Sequence, residues 1–225
     1  MKITWLGQAG VLFETCGKII LIDPYLSDNV KNYEPANYRR MPIDDSFLKI
    51  KPDVIIITHN HLDHLDKETL KYYLTEDATG LVLAPNGAWQ ETRTFGGKSN
   101  YVLFNNGTTW SEGNVRIRAV KAEHSDSNAI GVLLSAKGKT YYVTGDTLYN
   151  ETVFQSLPKT DIEAIFLPIN GKGNNMNAQD AARFAARTKA KYTVPIHFGM
   201  FDDLNGTELN VINKVIPSLY QEIKI

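Results

Sequence analysis

The stretch that most constrains this chain is Val54-Ile55-Ile56-Ile57, which runs directly into Thr58-His59-Asn60-His61-Leu62-Asp63-His64. A continuous β-branched run suits a strand buried on both faces, and such a strand needs a layer above and below its sheet. It ends in four potential metal ligands, His59, His61, Asp63 and His64, within six positions. A single histidine ordinarily satisfies hydrogen bonds in a loop or core. Donors this dense immediately after a buried strand point instead to a metal-binding loop. On a continuing strand His59, His61 and Asp63 would face one way and His64 the other, whereas on a turn both sets can encircle neighbouring ions. Imidazole and carboxylate without thiolate suit Zn, Mn, Fe, Co or Ni.

The rest of the chain reads as a mixed α/β protein. A meander is expected over residues 3–6, 11–14 and 19–22, ending at Asp23-Pro24. Residues 27–51, with Pro35 and Pro42, lack convincing periodicity; a lid over a site and a surface insertion with a short helix near 44–50 both fit. Further strands are expected at 81–84, 115–120, 130–135, 141–144, 164–167 and 192–194, the last leading to Pro195-Ile196-His197. Helices are expected at 67–74, 151–157 and 178–189, the last capped by Asn177, with a final one at 211–221 that Pro217 must shorten or kink. The order strands, βα, strands, βα suggests two similar halves within one domain spanning 1–225, each a sheet with helices on its outer side.

Composition narrows the function. With 24 basic and 25 acidic residues in 225, the chain has no general attraction for nucleic acid or anionic lipid. Cys16 is the only cysteine, so no internal disulfide can form. No stretch approaches the roughly 20 apolar residues of a membrane span, and the first residues read as a strand rather than a signal peptide. A cytoplasmic location is the resulting expectation, with a small molecule as partner, no nucleic acid, no membrane, and homo-oligomerisation left open.

Three more donors fall at the downstream ends of expected strands: His124, Asp146 in Thr144-Gly145-Asp146-Thr147, and His197 in Pro195-Ile196-His197-Phe198. Each alone is weak, since Gly-Asp-Thr is commonly a turn or cap. Together with the first cluster they supply enough donors for two metal centres.

At this point the chain resembles the metallo-β-lactamase superfamily, whose signature T-H-x-H-x-D-H stands here as Thr58 to His64, followed by the later His, Asp and His in the same order. The likeness extends to Asp23-Pro24 at the end of the opening meander. It implies a four-layer αββα sandwich and two divalent ions, zinc foremost and manganese as the alternative. One ion would take His59, His61 and His124, the other Asp63, His64 and His197, with Asp146 bridging them. A hydroxide between the ions would be the nucleophile, and Asp63 a proton shuttle to the leaving group.

Departures from sister branches refine this. Exported β-lactamases of this superfamily commonly carry cysteine at the position of Asp146, and the flavodiiron oxidoreductases place glutamate at that of His61. The nucleases usually add an RNA-binding arm. The best likeness is to small bacterial proteins grouped with the L-ascorbate-6-phosphate lactonases, resting on Leu167 to Ala178, Ala182 and Val194 to Phe198. The expected function is therefore a metal-dependent hydrolase opening a small anionic lactone or ester. A phosphodiesterase or nuclease, and a metal-binding protein without turnover, are the alternatives. Lys172, Asn174, Asn128, Arg39 and Arg40 are candidate substrate contacts, the cations because they could hold an anionic group. A solvated basic pair and a Gly-Asn turn would explain the same residues without a ligand.

Overall fold

A computed structural model describes residues 1–225. The expected meander forms as β1 (Lys2–Gly7), β2 (Gly10–Thr15) and β3 (Lys18–Ile22). Strands β4 (Val54–Ile56), β5 (Leu81–Ala84) and β6 (Asn100–Leu103) then extend the sheet in parallel from β3. A second sheet begins with the antiparallel β7 (Thr109–Glu112), β8 (Val115–Lys121), β9 (Ile130–Ala136) and β10 (Lys139–Val143). It continues in parallel through β11 (Ala164–Pro168) and β12 (Tyr192–Ile196).

Side-chain alternation makes the layers. On β3 and β4, Ile20, Ile22, Val54 and Ile56 enter the core shared by the two sheets, while Leu21 and Ile55 join a separate apolar cluster with Leu70 and Ala88. Those last two belong to α1 (Lys67–Tyr73) and α2 (Asn86–Thr92), which cover the outer face of the first sheet. Phe13 bridges the sheets, its ring centroid 5.9 Å from that of Tyr141 and 5.8 Å from that of Phe166. Beyond the second sheet lie α3 (Glu151–Ser156) and α4 (Ala178–Thr188), where Phe184 packs on Tyr142 and Phe154. The result is the αββα sandwich the sequence implied. Asn177 caps α4 as expected, accepting from Asp180 N at 2.9 Å. No helix is long and apolar enough to cross a membrane.

Two expectations need correction. No helix forms over 211–221. Tertiary hydrogen bonds hold this segment instead: Thr193 N donates to Asn213 O and Val215 N to Thr193 O, then Tyr220 N to Trp5 O and Ile223 N to Ile3 O. The C-terminal segment thereby pairs along β12 and β1, the edge strands of the two sheets, and offers edge carbonyls and amides partners that a helix could not. In addition, α2 was not expected, because Pro85-Asn86-Gly87 reads as a turn; Asn86 N is held by Asn105 Oδ1 at 3.0 Å and the helix starts there.

Candidate metal centre

Every strand that delivers a donor ends on the same side of the sandwich. In the first sheet β1, β3 and β4 are mutually parallel and lead to Gln8, Asp23 and the loop 58–64. In the second, β8, β10, β11 and β12 lead to His124, Asp146, Asn170 and His197. The sheets are joined at this end by Ile130 N donating to Thr58 O at 3.0 Å.

All seven donors expected from the sequence converge. His59, His61 and His124 form one group, Asp63, His64 and His197 another, and Asp146 stands with His59 and His64 between them, donor atoms within each group lying no more than 4.8 Å apart. The closest pairs share one spacing. His61 Nδ1 to His124 Nε2, His64 Nε2 to Asp146 Oδ1 and His197 Nε2 to Asp63 Oδ2 are each 3.2 Å, and His197 Nε2 to Asp146 Oδ2 is 3.3 Å. Around a tetrahedral divalent ion with bonds of about 2.0–2.1 Å, adjacent donors stand about 3.3 Å apart. His59 Nε2, His64 Nε2 and Asp146 Oδ1 are meanwhile buried without any hydrogen-bond partner. Buried polar atoms are rarely left unpaired, and three of them aimed at one point fit a cation.

Neighbouring groups set which nitrogen faces inward. His64 Nδ1 donates to Asp23 Oδ2 at 2.8 Å, which leaves Nε2 as the nitrogen that faces the centre, and His124 Nδ1 donates to Asn174 O at 3.2 Å with the same effect. Asn175 Nδ2 donates to Asp146 Oδ2 at 2.7 Å, and Gln8 Nε2 to Asp63 Oδ2 at 2.8 Å. The charge balance agrees. Burial works against a charge on His64 and His197, yet Asp146 and Asp63 outweigh it, holding His64 well above the usual imidazole range and raising His197 to about 10. Burial instead drives His59 well below that range, aided by the neighbouring His64, and lowers His124. For Asp63 and Asp146, burial is opposed by these two histidines, which keep both carboxylates ionised. In the protein alone the carboxylates therefore gather two imidazolium cations where metal cations would serve.

Residues 2–197 match the Beta-lactamase superfamily domain. The UPF0173 metal-dependent hydrolase of Ligilactobacillus salivarius is 31% identical over 229 residues, spanning 96% of this chain and 93% of its own. The chain belongs to the metallo-β-lactamase superfamily. Its fold is matched by the metallo-β-lactamase fold protein YhfI of Bacillus subtilis, with a TM-score of 0.71 at 18% identity over 97% of both chains. It is matched also by Igni18, a metallo hydrolase from the archaeon Ignicoccus hospitalis, with a TM-score of 0.69 at 21% identity over 88% of this chain and 82% of that one. It is thus a metal-dependent hydrolase of the metallo-β-lactamase family.

This superfamily member opens its centre to solvent through a pocket of about 470 Å³. Lys172 lines it, as expected. The other candidate contacts do not. Arg39 ties the 27–51 segment down, donating to Met41 O within it and to Tyr25 O and Tyr220 Oη outside it, and Arg40 pairs with Asp203. Asn128 closes a local turn on Asp126, and Asn174 contributes its carbonyl to His124 rather than its side chain to the pocket. The segment 27–51 nonetheless reaches the site, because Val30, Glu34 and Asn37 form part of the wall. Tyr33, at 69% exposure, points away into solvent.

Gln8, Asp23 and Asn175 went unnoticed as site residues. Asp23 carried a signal, since it ends a strand beside the one that ends at His59. Gln8 and Asn175 had none beyond their place at strand ends and turns.

Proposed function

We propose that the chain is a dinuclear hydrolase that opens a small lactone or ester carrying an anionic group. The observation that carries this is the pair of donor groups meeting at Asp146, with unpaired buried atoms at His59, His64 and Asp146 itself beneath an open pocket. When bound, two divalent ions, zinc or manganese, would supply a water acidified toward neutral pH and an electrophile for the carbonyl oxygen. His59, His61 and His124 would hold one ion and Asp63, His64 and His197 the other, with Asp146 shared.

The remaining roles fall to the protein. Asp63 has one oxygen held by Gln8 and lies on the pocket wall, where it can pass a proton to the leaving oxygen. Lys172 lies between Gly171 and Gly173 and has no ion-pair partner, so its ammonium can meet an anionic substituent several atoms from the scissile bond. The other polar wall groups include Asn37, Asn60, Asn170 and Asn175, amides that suit hydroxyl and carbonyl groups. The likeness of the Leu167–Ala178 stretch to the ascorbate-6-phosphate lactonases supports the lactone over other esters. A nuclease would want a basic track leading to the metals, whereas Lys172 is the only lysine or arginine on a wall it shares with Glu34 and Asp202.

The test is metal analysis of protein purified without added metal, followed by assay of lactones, phosphodiesters and thioesters with Zn and Mn. Two equivalents of metal, with hydrolysis strongest for anionic lactones, is the expected result. Efficient cleavage of bis-p-nitrophenyl phosphate alone would overturn the lactonase reading.

A further inference from the structure

Arg116 and Arg118 lie on the outer face of the second sheet, toward the end opposite the metal centre. Val115, Ile117 and Ala119 alternate into the core, so the two arginines share the other face of β8. The strand register sets Arg116 opposite Ser135 on β9, and Ser135 opposite Thr140 on β10. One guanidinium and two hydroxyls therefore form a row across three strands. Helix α3 covers this face toward the far end of β8, where Ser156 Oγ accepts from Lys121 N at 3.1 Å. The chain leaving α3, Pro158-Lys159-Thr160, then closes the side of a cavity of about 230 Å³.

The lining holds three cations, Arg116, Arg118 and Lys159, and three hydroxyls, with no carboxylate. Nearby Lys139 and Lys191 both pair with Glu163, whereas the three lining cations have no ion-pair partner. Arg118 Nε is out of contact with water and has no acceptor. A buried guanidinium donor without a partner is an arrangement that folded proteins avoid unless something else fills the role.

We propose that this cavity is an oxyanion site that takes a phosphate group, either inorganic phosphate or the phosphate of a small monoester. Two guanidinium forks, an ammonium and hydroxyl donors match the oxygens of a tetrahedral dianion, and the absence of carboxylates removes the competing partner. Asp146 lies six residue steps beyond Thr140 along the chain, roughly 20 Å of extended strand, so the site is separate from the metal centre and does not rest on its chemistry.

The experiment is a titration of the full, zinc-loaded, ¹⁵N-labelled chain with sodium phosphate at ionic strength matched by sodium chloride. Saturating amide shifts are expected at Arg116, Arg118, Ser135, Thr140 and Thr160, distinct from any at the metal centre. Arg116→Gln alters an exposed side chain and should leave the fold intact while weakening this binding at least tenfold; Arg118→Gln should do the same without changing metal content. A parallel titration with glucose 6-phosphate distinguishes the sources, tighter binding marking the monoester and weaker binding the free ion. Shifts confined to the metal centre, shifts reproduced by chloride alone, or unchanged affinity in both variants would overturn the proposal.

Discussion

His64 Nδ1 donates to Asp23 Oδ2 across 2.8 Å, and both side chains are wholly buried. The same carboxylate accepts from Thr58 N at 2.8 Å and Thr58 Oγ1 at 2.6 Å, so one residue at the end of β3 fixes both the loop's first peptide and the tautomer of its last histidine. An amide cannot satisfy three donors. Asp23→Asn turns half of the acceptor into a donor and favours moving the His64 proton to Nε2, the atom that faces the centre. Metal affinity should fall about 10- to 100-fold, the usual effect of removing a partner of a ligating histidine. Chelator competition measures it, with circular dichroism to check the fold; unchanged affinity would exclude Asp23 from tautomer control.

Gln8 touches the other half of the centre. Its side chain donates to Asp63 Oδ2 at 2.8 Å while its carbonyl accepts from His197 N at 2.8 Å, and its backbone sits at φ +49°. Gln8→Ala removes the first contact and leaves the second, so metal content should persist. A hydrogen bond to a charged group contributes about 1.5–3 kcal/mol. If Asp63 hands a proton to the leaving group, kcat should drop by about 10-fold or more with KM little changed. A rise in KM alone would assign Gln8 to substrate binding instead.

Gly145 precedes Asp146 at φ +62°, and a Cβ there would lie 2.6 Å from Ile130 O and 3.1 Å from Thr58 Cβ. These atoms belong to the point where the two sheets meet above the centre, through Ile130 N and Thr58 O. Gly145→Ala must therefore push the sheets apart or move Asp146 out of place. A loss of about 2–4 kcal/mol in urea unfolding is expected from the left-handed backbone and the backbone clash together. Metal binding should weaken in parallel.

Asp23, Gln8 and Asn175 also mark how far the sequence can be read. The seven donors were legible because ligand chemistry restricts residue type and because each follows a recognisable strand. Asp23 was half legible: the Asp-Pro turn stood out, but an acidic residue in a turn has an adequate local explanation. Gln8 and Asn175 meet their partners 55 and 29 residues away, and no local pattern encodes such contacts. Arg39 misled for the opposite reason. Its charge suggested a ligand, while its hydrogen-bonding capacity is used on the carbonyls of Tyr25 and Met41 and on Tyr220. The 211–221 stretch likewise lost its local helical preference to edge-strand pairing with Thr193 and, at Tyr220 and just beyond at Ile223, with Trp5 and Ile3.

Lys172 offers a direct check on substrate charge. Exposed and unpaired on the pocket wall, it contributes nothing to the fold that a neutral residue would not. Lys172→Ala should raise KM for an anionic lactone by roughly 5- to 10-fold, in keeping with a solvent-screened charge pair of about 1 kcal/mol, and leave a neutral lactone unaffected. Equal effects on both substrates would remove the charge argument.

Metal uptake should release protons. In the metal-free protein Asp146 and Asp63 raise His197 to about 10 and hold His64 well above the ordinary imidazole value of 6.5, so both rings are cationic near neutral pH. A bound metal needs the lone pair on each Nε2, while the Nδ1 proton of His64 stays on Asp23. Loading at about pH 7.5 should therefore liberate roughly two protons per chain, and affinity should rise with pH. Calorimetry in two buffers of different ionisation enthalpy reads the number directly; heats independent of buffer would overturn it. Stability follows the same sign. Because the folded pKa values are raised, the stabilisation from the ion-paired His197 is fully present below about 6.5 and is lost as pH rises through about 10, and that from His64 has the same sign. The metal-free chain should accordingly melt at progressively lower temperature between neutral pH and pH 10, whereas the loaded chain, its histidines held neutral by metal at both ends of that range, should not.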